Sequence, residues 1–79
     1  MTLNEALSIR LCELLEEKHM TAYRLYTRSG VSQATISDIK NKKYVGTNLR
    51  VIFELCEGLG VGLSEFFDSP LFAPGNIID

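Results

Sequence analysis

Residues 32 to 41 read Ser-Gln-Ala-Thr-Ile-Ser-Asp-Ile-Lys-Asn, with Gly30-Val31 just before them. A serine oxygen accepts a hydrogen bond from a free first-turn N–H, so Ser32 is placed to cap a short helix. Val31 and Ile36 have the spacing of a hydrophobic staple. Ile36 and Ile39 are three apart and share one face. Gln33, Ala34, Ser37, Asp38 and Asn41 then fall on the other, which carries no Leu, Phe or Glu. A face that small and polar can approach another surface closely and offer it amide, hydroxyl and carboxylate groups. Gly30 supplies the left-handed backbone that a tight helix-to-helix turn requires. The stretch is therefore expected to be the second of two helices joined by a short turn. An ordinary amphipathic helix with a solvated outer face would show the same pattern, so the rest of the chain must decide what it does.

A length of 79 residues argues for one domain. At that size only about 60% of the unfolded chain's surface is buried on folding, which suits an economical helical bundle. No apolar run approaches the ~18 residues of a membrane span, and no basic-then-apolar leader pattern opens the chain. A cytoplasmic location is expected. Cys12 and Cys56 are isolated, and His19 has no partner at metal-ligand spacing, so no metal or cofactor site is expected. Both cysteines read as reduced thiols filling gaps in or beside the core.

The net charge of −2 conceals a segregation. Between Ala22 and Arg50 six basic residues (Arg24, Arg28, Lys40, Lys42, Lys43 and Arg50) face one acid, Asp38, a local charge of +5. The remaining two cations face nine acids, a charge of −7. Salt screens charge beyond about 8–10 Å, so the local balance governs attraction to a polyanion.

The other elements follow from caps and periodicity. A first helix spans Leu3 to Lys18, with Thr2 or Asn4 as cap and Leu7, Leu11, Leu14 and Leu15 as its stripe; Ile9 and Cys12 are expected to widen that face. Thr21 caps a second helix to Ser29, with Leu25 and Tyr26 inward. Lys42 to Gly46 form a basic loop around Tyr44. Thr47 is expected to cap a fourth helix buried through Ile52, Leu55, Cys56 and Leu59, and Ser64 a last turn, Glu65-Phe66-Phe67. Asp68-Ser69-Pro70 then divides the chain into a helical domain, 1–68, and a short tail, 69–79, expected to pack on the core or on a dimer partner.

This order resembles the phage-repressor and Cro type of helix-turn-helix protein, an all-α five-helix domain. The matching residues are Thr21, Leu25, Gly30-Val31-Ser32-Gln33, Thr35-Ile36-Ser37, Ile39 and Asn41, then Leu55-Cys56-Glu57-Gly58-Leu59-Gly60-Val61 and Leu63-Ser64-Glu65-Phe66-Phe67. The resemblance implies that the helix from Ser32 to Asn41 lies in the major groove of double-stranded DNA while the helix before it crosses the backbone. Carried over by position, Gln33, Ala34, Ser37 and Asp38 face base edges, with Gln33 suited to adenine N6 and N7, Ala34 to a thymine methyl and Asp38 to cytosine N4. Thr21, Thr35, Asn41, Lys43 and Tyr44 are implied to hold phosphates, helped by free N–H groups at the start of the second helix. The sequence departs from the family pattern at Ala22 (often Gln), Tyr26 (usually a small Ala), Leu15 and Lys40 (often an Arg–Glu pair), Lys42 (usually Gly) and Thr47 (frequently Pro).

The implied function is a sequence-specific transcriptional regulator, acting as a dimer because one such module contacts little DNA. Phe53, Phe67, Leu71 and Phe72, with Ile77 and Ile78, are candidates for the dimer interface. The alternative is an antitoxin or adaptor that chiefly holds a protein partner through the apolar tail. No acid–base pair, activated nucleophile or Gly-rich phosphate loop suggests an enzyme.

Overall fold

The computed structural model describes residues 1–43 and 46–79. Five α-helices follow one another: α1 (Leu3–Glu17), α2 (Ala22–Ser29), α3 (Gln33–Lys40), α4 (Leu49–Leu59) and α5 (Leu63–Phe67), with a closing 3₁₀ turn at Pro70–Phe72. No strand occurs among the described residues. One core joins them, built from Leu7, Leu11 and Leu14 of α1, Leu25 of α2, Ile36 and Ile39 of α3, Leu55 and Leu59 of α4 and Phe66 of α5.

Local chemistry places the helix starts. Thr2 accepts from the Glu5 N–H while the Thr2 N–H donates to the Glu5 carboxylate at 2.8 Å, a capping box. The hydrogen bonds from Thr2, backbone first and hydroxyl second, hold the Glu5 carboxyl below its usual range. Thr21 caps α2 and Ser32 caps α3, as their positions predict. Two expected caps are corrected. Asn48, not Thr47, accepts from the Val51 N–H at 2.9 Å and starts α4. Gly62 occupies the cap of α5, with no side-chain bond, and Ser64 lies inside the first turn. Leu63 packs against the core, and that burial draws it into the helix ahead of the hydroxyl signal at Ser64.

Three of the helix ends share one geometry. After α1, α3 and α4 the next two N–H groups turn back onto carbonyls of the last turn: His19 to Glu16 and Met20 to Leu15, Lys42 to Ile39 and Lys43 to Asp38, Gly60 to Glu57 and Val61 to Cys56. This paired pattern needs a left-handed residue at its centre. Glycine fills that seat after α4, but His19 (φ +52°) and Lys42 (φ +63°) fill it after α1 and α3.

Two further expectations give way to packing. Ile9 and Cys12 do not widen the buried face of α1 but are exposed, while Ala6 and Ser8 are buried. At about 100° per residue Ile9 lies about 200° around the helix from Leu7, on the far side of the leucine stripe. Ser8 is buried because its hydroxyl donates to the Lys40 carbonyl at 2.6 Å, tying α1 to the end of α3. Tyr26 does not turn inward: it is 37% exposed and packs on Tyr23, with ring centroids 5.8 Å apart. Of the cysteines only Cys56 is in the core, and burial there pushes its thiol up to about 11, so it stays protonated.

Two contacts carry much of the tertiary arrangement. Gly58 lies where α4 meets α2: a Cβ there would stand 2.7 Å from the Ser29 Cβ and 2.9 Å from Leu25 Cδ1. Arg10 of α1 donates to the carbonyls of Phe66 at 2.6 Å and Glu65 at 2.7 Å, covering the last turn of α5. After Pro70, the Phe72 ring meets Phe67 edge-on at 5.0 Å and packs on the core. The chain ends are bonded to each other: the Met1 ammonium donates to the Asn76 carbonyl, the Ile78 N–H to the Met1 carbonyl and the Leu3 N–H to the Asp79 carboxylate.

Candidate nucleic-acid interface

The turn between α2 and α3 positions the candidate site. Gly30 takes φ +77°, and its N–H closes back on the Tyr26 carbonyl at 3.1 Å. The Val31 N–H donates to the Ser29 hydroxyl at 3.1 Å, and Ser32 then accepts from the Thr35 N–H at 3.1 Å. So α3 begins only two residues after the turn. Val31, Ile36 and Ile39 are all buried, and this clamp fixes the rotation of the short helix. Gln33, Ala34, Ser37 and Asp38 are in consequence all exposed.

These side chains form one surface with the start of α2. Gln33, Ser37, Lys40 and Asn41 line a shallow open hollow of about 220 Å³ together with Ala22. The Asn41 amide donates to the Ser37 hydroxyl at 3.2 Å, ordering that edge. Thr35 is half-buried, and its hydroxyl accepts from Ser32 at 3.0 Å, within the cap. Thr21 is exposed, its hydroxyl occupied by the Arg24 N–H at 3.0 Å. Lys43 is exposed, and Tyr44 lies outside the described residues. Sequence reasoning named Ala22 as a departure from a family pattern, and Lys40 as such a departure and as one of the six cations, but assigned neither to the site. Their share in the hollow comes from the crossing of α2 over α3.

The electrostatics favour a polyanion. Among the described residues one ion pair occurs, Arg10–Glu13 at 3.4 Å, far from α3 in the chain. Arg24, Arg28, Lys42, Lys43 and Arg50 are exposed, and Lys40 half-buried, with no described carboxylate in ion-pair contact. Their charge is thus available to an incoming phosphate chain, that of Lys42 being shared with the Glu5 carboxyl, which it helps Thr2 to hold low.

The expected dimer candidates are divided. Phe53 and Phe67 are exposed; Leu71 and Phe72 are half-buried. Leu49 is 62% exposed beside Phe53 and lines hollows with Leu3, Phe67 and Leu63. That apolar surface joins three elements, which no local reading of the tail reveals. No group of three or more His, Cys, Asp or Glu side chains able to hold a metal occurs among the described residues, and no described helix is long and apolar enough to cross a membrane.

The family model of the Cro/C1-type helix-turn-helix DNA-binding domain matches residues 10–70. The chain belongs to this family. A Cro/C1-type domain is a DNA-binding module and not an enzyme, so this chain is a binder of double-stranded DNA. Two crystal structures share the fold: the wild-type restriction-modification controller protein C.Esp1396I (TM-score 0.79) and a tyrosine-to-phenylalanine point mutant of it (TM-score 0.78). Each is 24% identical over 86% of this chain, and the match covers 88% and 87% of theirs. No curated protein is similar enough in sequence to count as a relative. The Cro/C1-type frame is kept although Tyr26 stands where that frame usually has a small residue. The ring leaves the α2–α3 crevice for Tyr23, so the Gly30 turn keeps its geometry.

Proposed function

We propose that this protein is a sequence-specific transcriptional regulator of the cytoplasm that lays α3 in the major groove and acts as a homodimer. The observation that carries this reading is the outer face of α3: small, polar, exposed and free of its own polypeptide, with cations before and after it in the chain that pair with no described carboxylate. The major groove is about 12 Å wide and admits one helix. Gln33 reads an adenine, Ala34 meets a thymine methyl, and Ser37 and Asp38 complete the base-facing set. Thr21, Thr35, Asn41, Lys43 and Tyr44 position the phosphates. A lone module buries only about 600–1,000 Å² on DNA, so two copies supply useful affinity. The second copy sits on the apolar surface of Leu49, Phe53 and Phe67, with Leu71 and Phe72 of the tail as further contacts. Selection of bound duplexes from a random pool, by wild type and by Gln33→Ala, tests the assignment. Wild type should enrich one motif, and the variant should lose preference at one adenine by about 1–3 kcal/mol. Equal preference in both proteins would refute base reading by Gln33.

A further inference from the structure

The aromatic pair on α2 is used by neither the core nor the base-reading face. Tyr23 is 62% exposed and Tyr26 37% exposed, and the two rings pack on each other at 5.8 Å with planes tilted by 56°. Neither phenol has a hydrogen-bond partner among the described residues. The largely exposed Tyr23 ring is therefore held by Tyr26 and not by the core. Their place on the helix is informative. Tyr26 lies four residues after Ala22 and three after Tyr23, so the three share a flank of α2. Ala22 lines the hollow that it forms with Gln33 and Ser37. Long helical side chains lean back toward the preceding turn, which brings the tyrosines toward Ala22 and the rim of that hollow. Leu25 and Ser29 face the core and Gly58, and Tyr23 lies more than about 100° around the helix from both, so it points away from the core.

We infer that Tyr23 is a positioning residue for DNA, its phenol O–H donating to a phosphate at the edge of the groove that α3 enters, with the Tyr26 ring as the backing that holds it there. The inference rests on the DNA-binding reading above and extends it from α3 to α2. A phenol is neutral and carries no sequence information at a phosphate, so its signature differs from that of a lysine or of Gln33. Loss of the O–H should weaken every duplex alike without changing the salt dependence.

The test compares wild type, Tyr23→Phe, Tyr26→Phe and Tyr26→Ala on the duplex selected by wild type and on an unrelated duplex, each titrated across a series of KCl concentrations. Tyr23→Phe should bind both duplexes at least about tenfold more weakly, the share of one hydrogen bond to a charged acceptor, with the log–log salt slope unaltered. Tyr26→Phe should match wild type, because the ring is kept. Tyr26→Ala should fall as far as Tyr23→Phe, with melting curves confirming that all variants are folded. If Tyr23→Phe equals a wild type that binds DNA, the inference is overturned while the reading of α3 stands. A loss confined to the selected duplex also overturns it, by making Tyr23 a base reader. So does a change in oligomer mass with DNA affinity unaltered, which would assign the pair to a protein contact. A wild type that holds no duplex at any salt overturns both readings together.

Discussion

At the scale of single residues, two positions show how a local preference and its surroundings compete. Gly58 is the last but one residue of α4, and within a helix alanine is favoured over glycine by up to about 1 kcal/mol. Its missing Cβ is what lets α4 approach Ser29 and Leu25. An added methyl forces the two helices apart, and overpacking of this kind costs about 1–3 kcal/mol. The steric term prevails, because one of the nearest atoms is backbone, Ser29 Cα at 3.1 Å. Gly58→Ala is expected to lower the melting temperature by about 4–8 °C for each kcal/mol lost, read by calorimetry. Lys42 is the converse case, a side chain in a left-handed seat at φ +63°. Relief of that strain in Lys42→Gly should stabilise the fold by about 0.5–1 kcal/mol, the glycine's greater unfolded freedom offsetting part of the gain. The same change removes a cation next to α3. Affinity for DNA should therefore fall, and the salt slope should become shallower by about one unit per bound copy, measured in the same titrations. A variant that is more stable and binds equally well would place Lys42 away from the phosphates.

At the scale of elements, the short α5 depends on a side chain from α1. Its five residues are too few to be stable alone. Arg10 supplies two N–H groups to the carbonyls of Glu65 and Phe66, where the helix dipole is negative. Arg10→Ala should destabilise the protein by about 2 kcal/mol, since two carbonyls lose a charged donor. Arg10→Lys should recover little, because an ammonium cannot reproduce the guanidinium fork. Amide exchange in Phe66, Phe67 and Asp68 should accelerate more than that in α4, and equal acceleration throughout would show that Arg10 has no special hold on α5. The α2–α3 pair, by contrast, is organised by its own residues. Gly30, Val31, Ser32 and Ile36 stand close together in the chain, so the candidate site is legible as a unit without knowledge of the packing.

At the scale of the whole molecule, the charges and the apolar patch point to two tasks. Six of the cations without a described ion-pair partner are the basic residues from Arg24 to Arg50, whereas Leu49, Phe53 and Phe67 present an apolar face with Arg50 at its edge. On the proposed reading a homodimer touching some six phosphates shows a log–log salt slope of about −5. Leu49→Asp should leave the melting temperature of dilute protein unchanged, because Leu49 is exposed, yet shift the sedimentation mass from dimer to monomer and weaken DNA binding. A wild type that remains monomeric on its operator would refute the dimer.

The sequence by itself determined the number and order of the helices, most of their limits, the Gly30 turn and the outward face of α3, since caps, turns and periodicity act over four or five residues. Only the tertiary structure decided that Ala6 and Ser8, not Ile9 and Cys12, complete the inner face of α1, that Asn48 and Gly62 start the last two helices, and that Tyr26 and Phe72 go where they do. The contacts responsible join residues far apart in the chain: Ser8 with Lys40, Arg10 with Phe66, Leu3 with Asp79. No window of sequence contains both partners of such a bond, and each exists only once the core has brought the helices together.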